Sequence, residues 1–258
     1  MKNKLNNFWF SFKEDIIYIT ILASIMIYLF FDFIFSNQML FGSDQLAALG
    51  SRVYYKDAFL NQGVFPNWLN GRLGGMPTAD ALTGDNMYPP SIIFKLIFDY
   101  YRASSFLMIS HLFIGGLGFY ILCNKSFKVP KKISFIGAAA FMLSPAFFTL
   151  IYSGHDSKLF VISLSPFLIW RLCELTTKPN FNNTLYLSLL IALSILTGHV
   201  QMVYFILWGL FFIWVYSIIQ NWKNQAPKEK IFKIFYTFWL ANFIGLAIGS
   251  IQIYPAYN

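Results

Sequence analysis

Charged residues are scarce in this chain. Asp, Glu, Lys and Arg make up 12% of its 258 residues, against about 25% in soluble domains. That shortage excludes an ordinary water-soluble fold. Acidic residues are the scarcer sign, 11 against 19 basic ones, for a formal charge of +8. No basic stripe with a soluble fold behind it accompanies the excess, so nucleic acid is not a partner, and the basic residues read as a topology signal. There are two cysteines, Cys123 and Cys173, both at the ends of apolar runs. Without a CxxC pair or a Cys/His cluster, nothing argues for structural zinc, and both read as free thiols. The Gly-rich stretch 71–77 lacks the Lys-Ser/Thr of a phosphate-binding loop. No small-x-small cleavage site follows the first apolar run, which is expected to be a retained signal anchor. No internal repeat is visible.

What is there is apolar: 57% hydrophobic residues, 30 of them Phe, with mean hydropathy +0.56. A spanning helix needs about 20 mostly apolar residues. Seven segments qualify: about 16–35, 104–123, 133–153, 159–173, 184–198, 201–220 and 234–254, the fourth and fifth being short. With the N-terminus in the cytoplasm, 13 of the 19 Lys and Arg fall inside and 6 outside, as the positive-inside rule requires. The whole chain, 1–258, is then one membrane domain whose residues 36–103 form a long first extracytoplasmic loop.

That loop is too long to be a passive connector. Ser43 or Asp44 is placed to cap a helix running to about residue 61. Its imperfect apolar stripe (Leu46, Leu49, Val53, Ala58 and Leu60) suits the membrane surface. Pro66-Asn67-Trp68 and Gly71-Arg72-Leu73-Gly74-Gly75-Met76-Pro77 predict a turn-rich, aromatic-lined wall. Asp80, Asp85 and Tyr88-Pro89-Pro90 lead into a second short amphipathic helix over 91–101.

Two further polar motifs fall on the same side of the membrane. Gly154-His155-Asp156-Ser157-Lys158 puts three ionisable residues between two apolar runs. Thr197-Gly198-His199-Val200-Gln201 is the second such turn. Ionisable groups at membrane depth or at its rim are costly and mark a candidate functional site. Asp44 stands at the start of the surface helix, suited to act as a general base or to hold a divalent cation. A plain helix-capping role is its bland alternative. His111 lies inside the second span and reads as interhelical glue. Asp32 reads as interfacial, and Pro145 and Pro166 predict kinks in spans three and four.

Taken in order, Phe41-Gly42-Ser43-Asp44-Gln45, Pro66-Asn67-Trp68, Gly74-Gly75-Met76-Pro77, Tyr88-Pro89, Gly154-His155-Asp156-Ser157-Lys158 and Gly198-His199-Val200-Gln201 resemble the N-terminal part of the bacterial YfhO-like membrane protein family. That family is similar to the GT-C superfamily of multi-span glycosyltransferases. The resemblance covers about 40–257. It implies an all-α module of seven transmembrane helices with two juxtamembrane helices in the first outer loop. It also implies transfer of a sugar from a polyprenyl-phosphate carrier to a cell-envelope acceptor outside the bacterial cytoplasmic membrane. In such enzymes an acidic residue in the first outer loop is the usual catalytic group, and Asp44 occupies that place. Members of the family are usually longer, so the chain is expected to be an N-terminal fragment.

Within that scheme Asp44 is the expected base, with His155, Asp156 and His199 as catalytic partners that position it, shuttle protons or join it on Mg²⁺ or Mn²⁺. Lys158 is the expected phosphate ligand, assisted by Arg72 or Arg52. Trp68, Tyr88 and Tyr54 are candidates to stack on sugar rings, and Gln45 and Gln201 complete the expected substrate contacts. Each has a structural alternative: snorkelling for Lys158, helix capping for His155 and Asp156, a bundle hydrogen bond for His199. The competing functions are a transporter or flippase for lipid-linked glycans, and a non-catalytic scaffold of an envelope assembly. Ionisable groups near the midplane would favour the transporter. Here the polar motifs gather on one face.

Overall fold

The computed structural model describes residues 2–40, 42–63, 68–71, 74–77 and 85–253. In chain order these form α1 (Lys2–Leu29), α2 (Phe31–Phe35), α3 (Ser43–Gln62), β1 (Trp68–Leu69), β2 (Met76–Pro77), α4 (Pro89–Ile97) and α5 (Tyr100–Ile121). A π turn, Leu122–Ser126, extends α5. Then follow α6 (Lys131–Met142), α7 (Pro145–Ser153), α8 (Asp156–Thr177), α9 (Phe181–Leu196), α10 (Val200–Lys223) and α11 (Lys228–Ile253). The protein is an all-α, multi-pass membrane protein with one small antiparallel pairing, Trp68 opposite Pro77 and Leu69 opposite Met76.

Five helical segments among the described residues are long and apolar enough to cross a bilayer: Tyr101–Ser126, Lys131–Ser153, Asp156–Thr177, Val200–Lys223 and Lys228–Ile253. Helix α9 is apolar but only 16 residues long, about 24 Å at 1.5 Å per residue. Residues 16–35 are helical apart from Phe30, whose N–H still bonds to the Met26 carbonyl at 3.0 Å.

Several expected boundaries move. The fourth segment is not short: α8 runs 22 residues and takes Asp156, Ser157 and Lys158 into its first turn. The helix expected over 91–101 ends at Ile97, and α5 starts afresh at Tyr100. Neither Ser43 nor Asp44 caps α3. The cap is Gly42, whose N–H bonds back to the Gln45 side chain at 3.1 Å, the reciprocal half of a capping box. Pro145 does not bend a continuous helix. It stands at the first position of α7, after a break at Leu143–Ser144. Pro166 lies buried inside α8.

Of the five long segments, those of α5 and α8 are the most enclosed, 56% buried along their most apolar stretch against 17% for α10. The difference makes α8 the hub. Its Leu159, Phe160 and Leu164 pack with α1, α5, α6 and α7, while Val161, Leu168, Leu172 and Leu175 pack with α9, α10 and α11. Helix α11 lies close on α9 because Gly245 and Gly249 face Ile191 and Ile195 there, a small-xxx-small contact between apolar helices. Far from the Asp44 end, Asp15 accepts hydrogen bonds from Lys131 at 2.8 Å and Tyr120 at 2.6 Å, tying α1 to α5 and α6.

Candidate functional site

The site begins with two glycines. Gly154 ends α7 at φ +82°, a backbone that side chains disfavour. A Cβ on it would meet the Gln45 backbone nitrogen at 2.8 Å, and a Cβ on Gly42 would collide with the backbone of Tyr152, Ser153 and Gly154. The start of α3 and the turn between α7 and α8 therefore lie backbone against backbone. Gln45 secures the pair from beneath. Its side chain is fully buried and donates to Ser104 Oγ on α5 at 2.9 Å, besides accepting from Gly42. Nearby, the Leu40 N–H bonds to Ser105 Oγ at 2.9 Å.

This contact sets the chemistry. Asp44 Oδ2 lies 2.9 Å from His155 Nε2, although 111 positions separate them in sequence. On the ring's other side, Lys158 Nζ is 3.4 Å from His155 Nδ1. An ammonium can only donate, so Nδ1 accepts and Nε2–H donates to Asp44. The result is a relay from Lys158 through the His155 ring to a carboxylate. Asp44 sits in the first turn of α3, where the helix dipole favours negative charge. Its side chain is 62% exposed and that of His155 33%. A contact so open contributes about 0–1 kcal/mol to stability, so its arrangement matters more for orientation than for folding.

His199 stands at the start of α10, where its Nδ1 accepts from the Met202 N–H at 3.2 Å. Burial, together with the positive charge of Lys158, holds its pKa below the ordinary 6.5. Gln201 is exposed on the first turn of α10.

Asp156 belongs elsewhere. It is buried, and its Oδ1 accepts from the Ser157 N–H at 2.8 Å. His111 donates from Nδ1 to the Leu107 carbonyl at 2.6 Å and accepts at Nε2 from the Tyr88 hydroxyl at 2.8 Å. Its ring lies 4.1 Å from that of Phe160 on α8. Tyr88 is only 1% exposed. In this arrangement its ring faces the bundle, not the open side where sugar stacking was expected. Burial and the charge of Asp85 hold its hydroxyl above the ordinary tyrosine range. Lys95 closes the cluster with a 2.8 Å bond to Asp85. Sequence reading named His111 and Tyr88 separately; their pairing, and that of Asp85 with Lys95, has no signal in spacing.

Trp68 is half-exposed on β1 over Gly75, and its carbonyl accepts from the Tyr54 hydroxyl at 3.5 Å. Among the described residues no contact joins it to Asp44. Arg72 and Asp80 lie outside the described residues, and the Arg52 side chain is likewise outside them. Among the described residues no three His, Cys, Asp or Glu side chains gather into a metal-holding group; of the residues expected to share a cation, Asp44 and His155 converge.

No family model matches this chain, and no curated protein or solved structure matches it either.

Proposed function

We propose that the protein is a GT-C-type membrane glycosyltransferase of the YfhO-like kind, which moves a sugar from a polyprenyl-phosphate carrier to a cell-envelope acceptor. The observation that carries this reading is the 2.9 Å approach of Asp44 to His155, with Lys158 behind the ring. A carboxylate from one motif meets an imidazole and an ammonium from a second, distant one at one end of an apolar bundle. In the proposed reaction Asp44 takes the proton of the acceptor hydroxyl. The hydroxyl oxygen bonds to the sugar's anomeric carbon, and the bond from that carbon to the carrier phosphate breaks. Lys158 offsets the charge left on the phosphate, and His155 holds Asp44 in place. Gln45 acts by positioning rather than by contact, since its polar atoms are spent on Gly42 and Ser104.

The reading includes seven spans, with residues 16–35 and α9 crossing besides the five long segments, and with α3 and α4 along the outer membrane surface of a bacterial cytoplasmic membrane. Purified natural full-length protein, given polyprenyl-phosphate sugars, tests it. Asp44→Asn should lower transfer by roughly 100-fold or more, the usual scale for a general base. Equal transfer by wild type and Asp44→Asn would remove Asp44 from the role and favour a scaffold.

One observation favours a second reading, a flippase for lipid-linked glycans. His111 lies about 15 Å along its span from Tyr101 at 1.5 Å per residue, bonded to the Tyr88 hydroxyl at 2.8 Å. Ionisable groups at such depth are typical of transport pathways. Passage of a fluorescent lipid-linked sugar across proteoliposomes, lost in His111→Phe and kept in Asp44→Asn, would decide for that reading.

A further inference from the structure

Between α1, α4 and α5 runs an apolar groove of about 350 Å³, at the lower end of ligand pockets (about 300–1,000 Å³). Met26, Ile27, Phe94, Ile109 and Phe113 line it, and Ile27 is exposed on its outer wall. At one end of the groove stands Arg102. Its Nη2 donates to the Ile34 carbonyl at 3.2 Å, and its guanidinium lies 5.5 Å from the centre of the Phe106 ring; Ile34 and Phe106 both line the groove. The Arg102 Nε is buried with no hydrogen-bond partner, and no carboxylate pairs with this side chain among the described residues.

We propose that this groove seats one chain of a phosphate-bearing bilayer lipid whose headgroup rests on Arg102. The charge fits: a guanidinium offers a planar fork of donors to phosphate oxygens, and a buried donor left unmade is costly. The length fits as well. From Arg102 to Phe113 is about 16 Å along α5, half of a hydrocarbon core about 30 Å thick, hence the depth of one leaflet. A second protein helix would need a groove running the full thickness. The neighbouring residues Ser104 and Ser105 hold Gln45 and Leu40, so the lipid would lie beside the segment that carries Asp44. The inference does not rest on sugar transfer.

Native mass spectrometry of the purified whole chain in detergent tests it. The probes are dioleoyl phosphatidic acid, dioleoylglycerol (the same chains without phosphate) and inorganic phosphate. Wild type should retain phosphatidic acid and release dioleoylglycerol, and millimolar phosphate should not displace the lipid. Arg102→Gln should weaken retention at least tenfold, and Arg102→Lys less. Ile27→Trp fills the groove from its exposed wall without touching the charge or the core. It should weaken retention too, and it serves if Arg102→Gln does not fold. Three outcomes would each overturn the proposal: equal retention of both lipids, equal retention by wild type and Ile27→Trp, or displacement by inorganic phosphate.

Discussion

Gly42 and Gly154 each explain why the other is a glycine. The atoms that a Cβ on Gly42 would strike belong to backbone, which cannot swing aside as a side chain can. Gly42→Ala should therefore destabilise the protein by about 1–3 kcal/mol and separate Asp44 from His155. Thermal unfolding in detergent reads the first effect, and an unchanged midpoint would contradict it. His199 makes a pH prediction at the same scale. Its ring accepts from Met202 only while Nδ1 is unprotonated, and its folded pKa is depressed, by burial first and then by Lys158. The unfolded chain then takes up the proton first, so stability is full above about pH 6.5 and is lost as pH falls below it. Unfolding midpoints measured from pH 8 to pH 5 should fall more for wild type than for His199→Asn, whose cap does not titrate. Parallel profiles would refute this.

At the scale of elements, α8 decides most. It packs against both halves of the bundle and starts at the turn that meets Asp44. Gly245 and Gly249 let α11 approach α9, where an added Cβ would lie 2.7–2.9 Å from atoms of Ile191, Ser188 and Ile195. Gly249→Val should lower stability by about 1–3 kcal/mol, and Ile195→Ala in the same chain should recover part of that loss. A double variant no more stable than the sum of the single changes would mean the two side chains do not meet. The helices were largely legible from apolar run length and from Gly, Pro and Asn punctuation. Their ends were less so, because polar residues such as Asp156 and Lys158 read as a turn when counted by hydropathy alone, yet the first turn of a helix accommodates them.

For the whole molecule the testable claim is orientation. In a background with Cys123 and Cys173 replaced by Ser, Ser43→Cys and Asn224→Cys provide exposed thiols, one beside Asp44 and one in the loop after α10. A membrane-impermeant maleimide added to intact cells should label position 43 and leave 224 until the membrane is opened. The reverse pattern would put the Asp44 end in the cytoplasm and remove the extracytoplasmic acceptor from the proposal.

The sequence alone determined that the protein is helical and membrane-embedded, because apolar runs about 20 residues long satisfy the backbone within a bilayer only as helices. It also marked Asp44, His155, Lys158 and His199 as costly groups near a membrane rim. Which of them touch was decided only by tertiary structure. The approach of Asp44 to His155 depends on two glycine backbones meeting across 112 positions, and the withdrawal of Tyr88 into the bundle goes with its bond to His111. Spacing along a chain carries no record of such meetings, since they are set by how α5 and α8 pack.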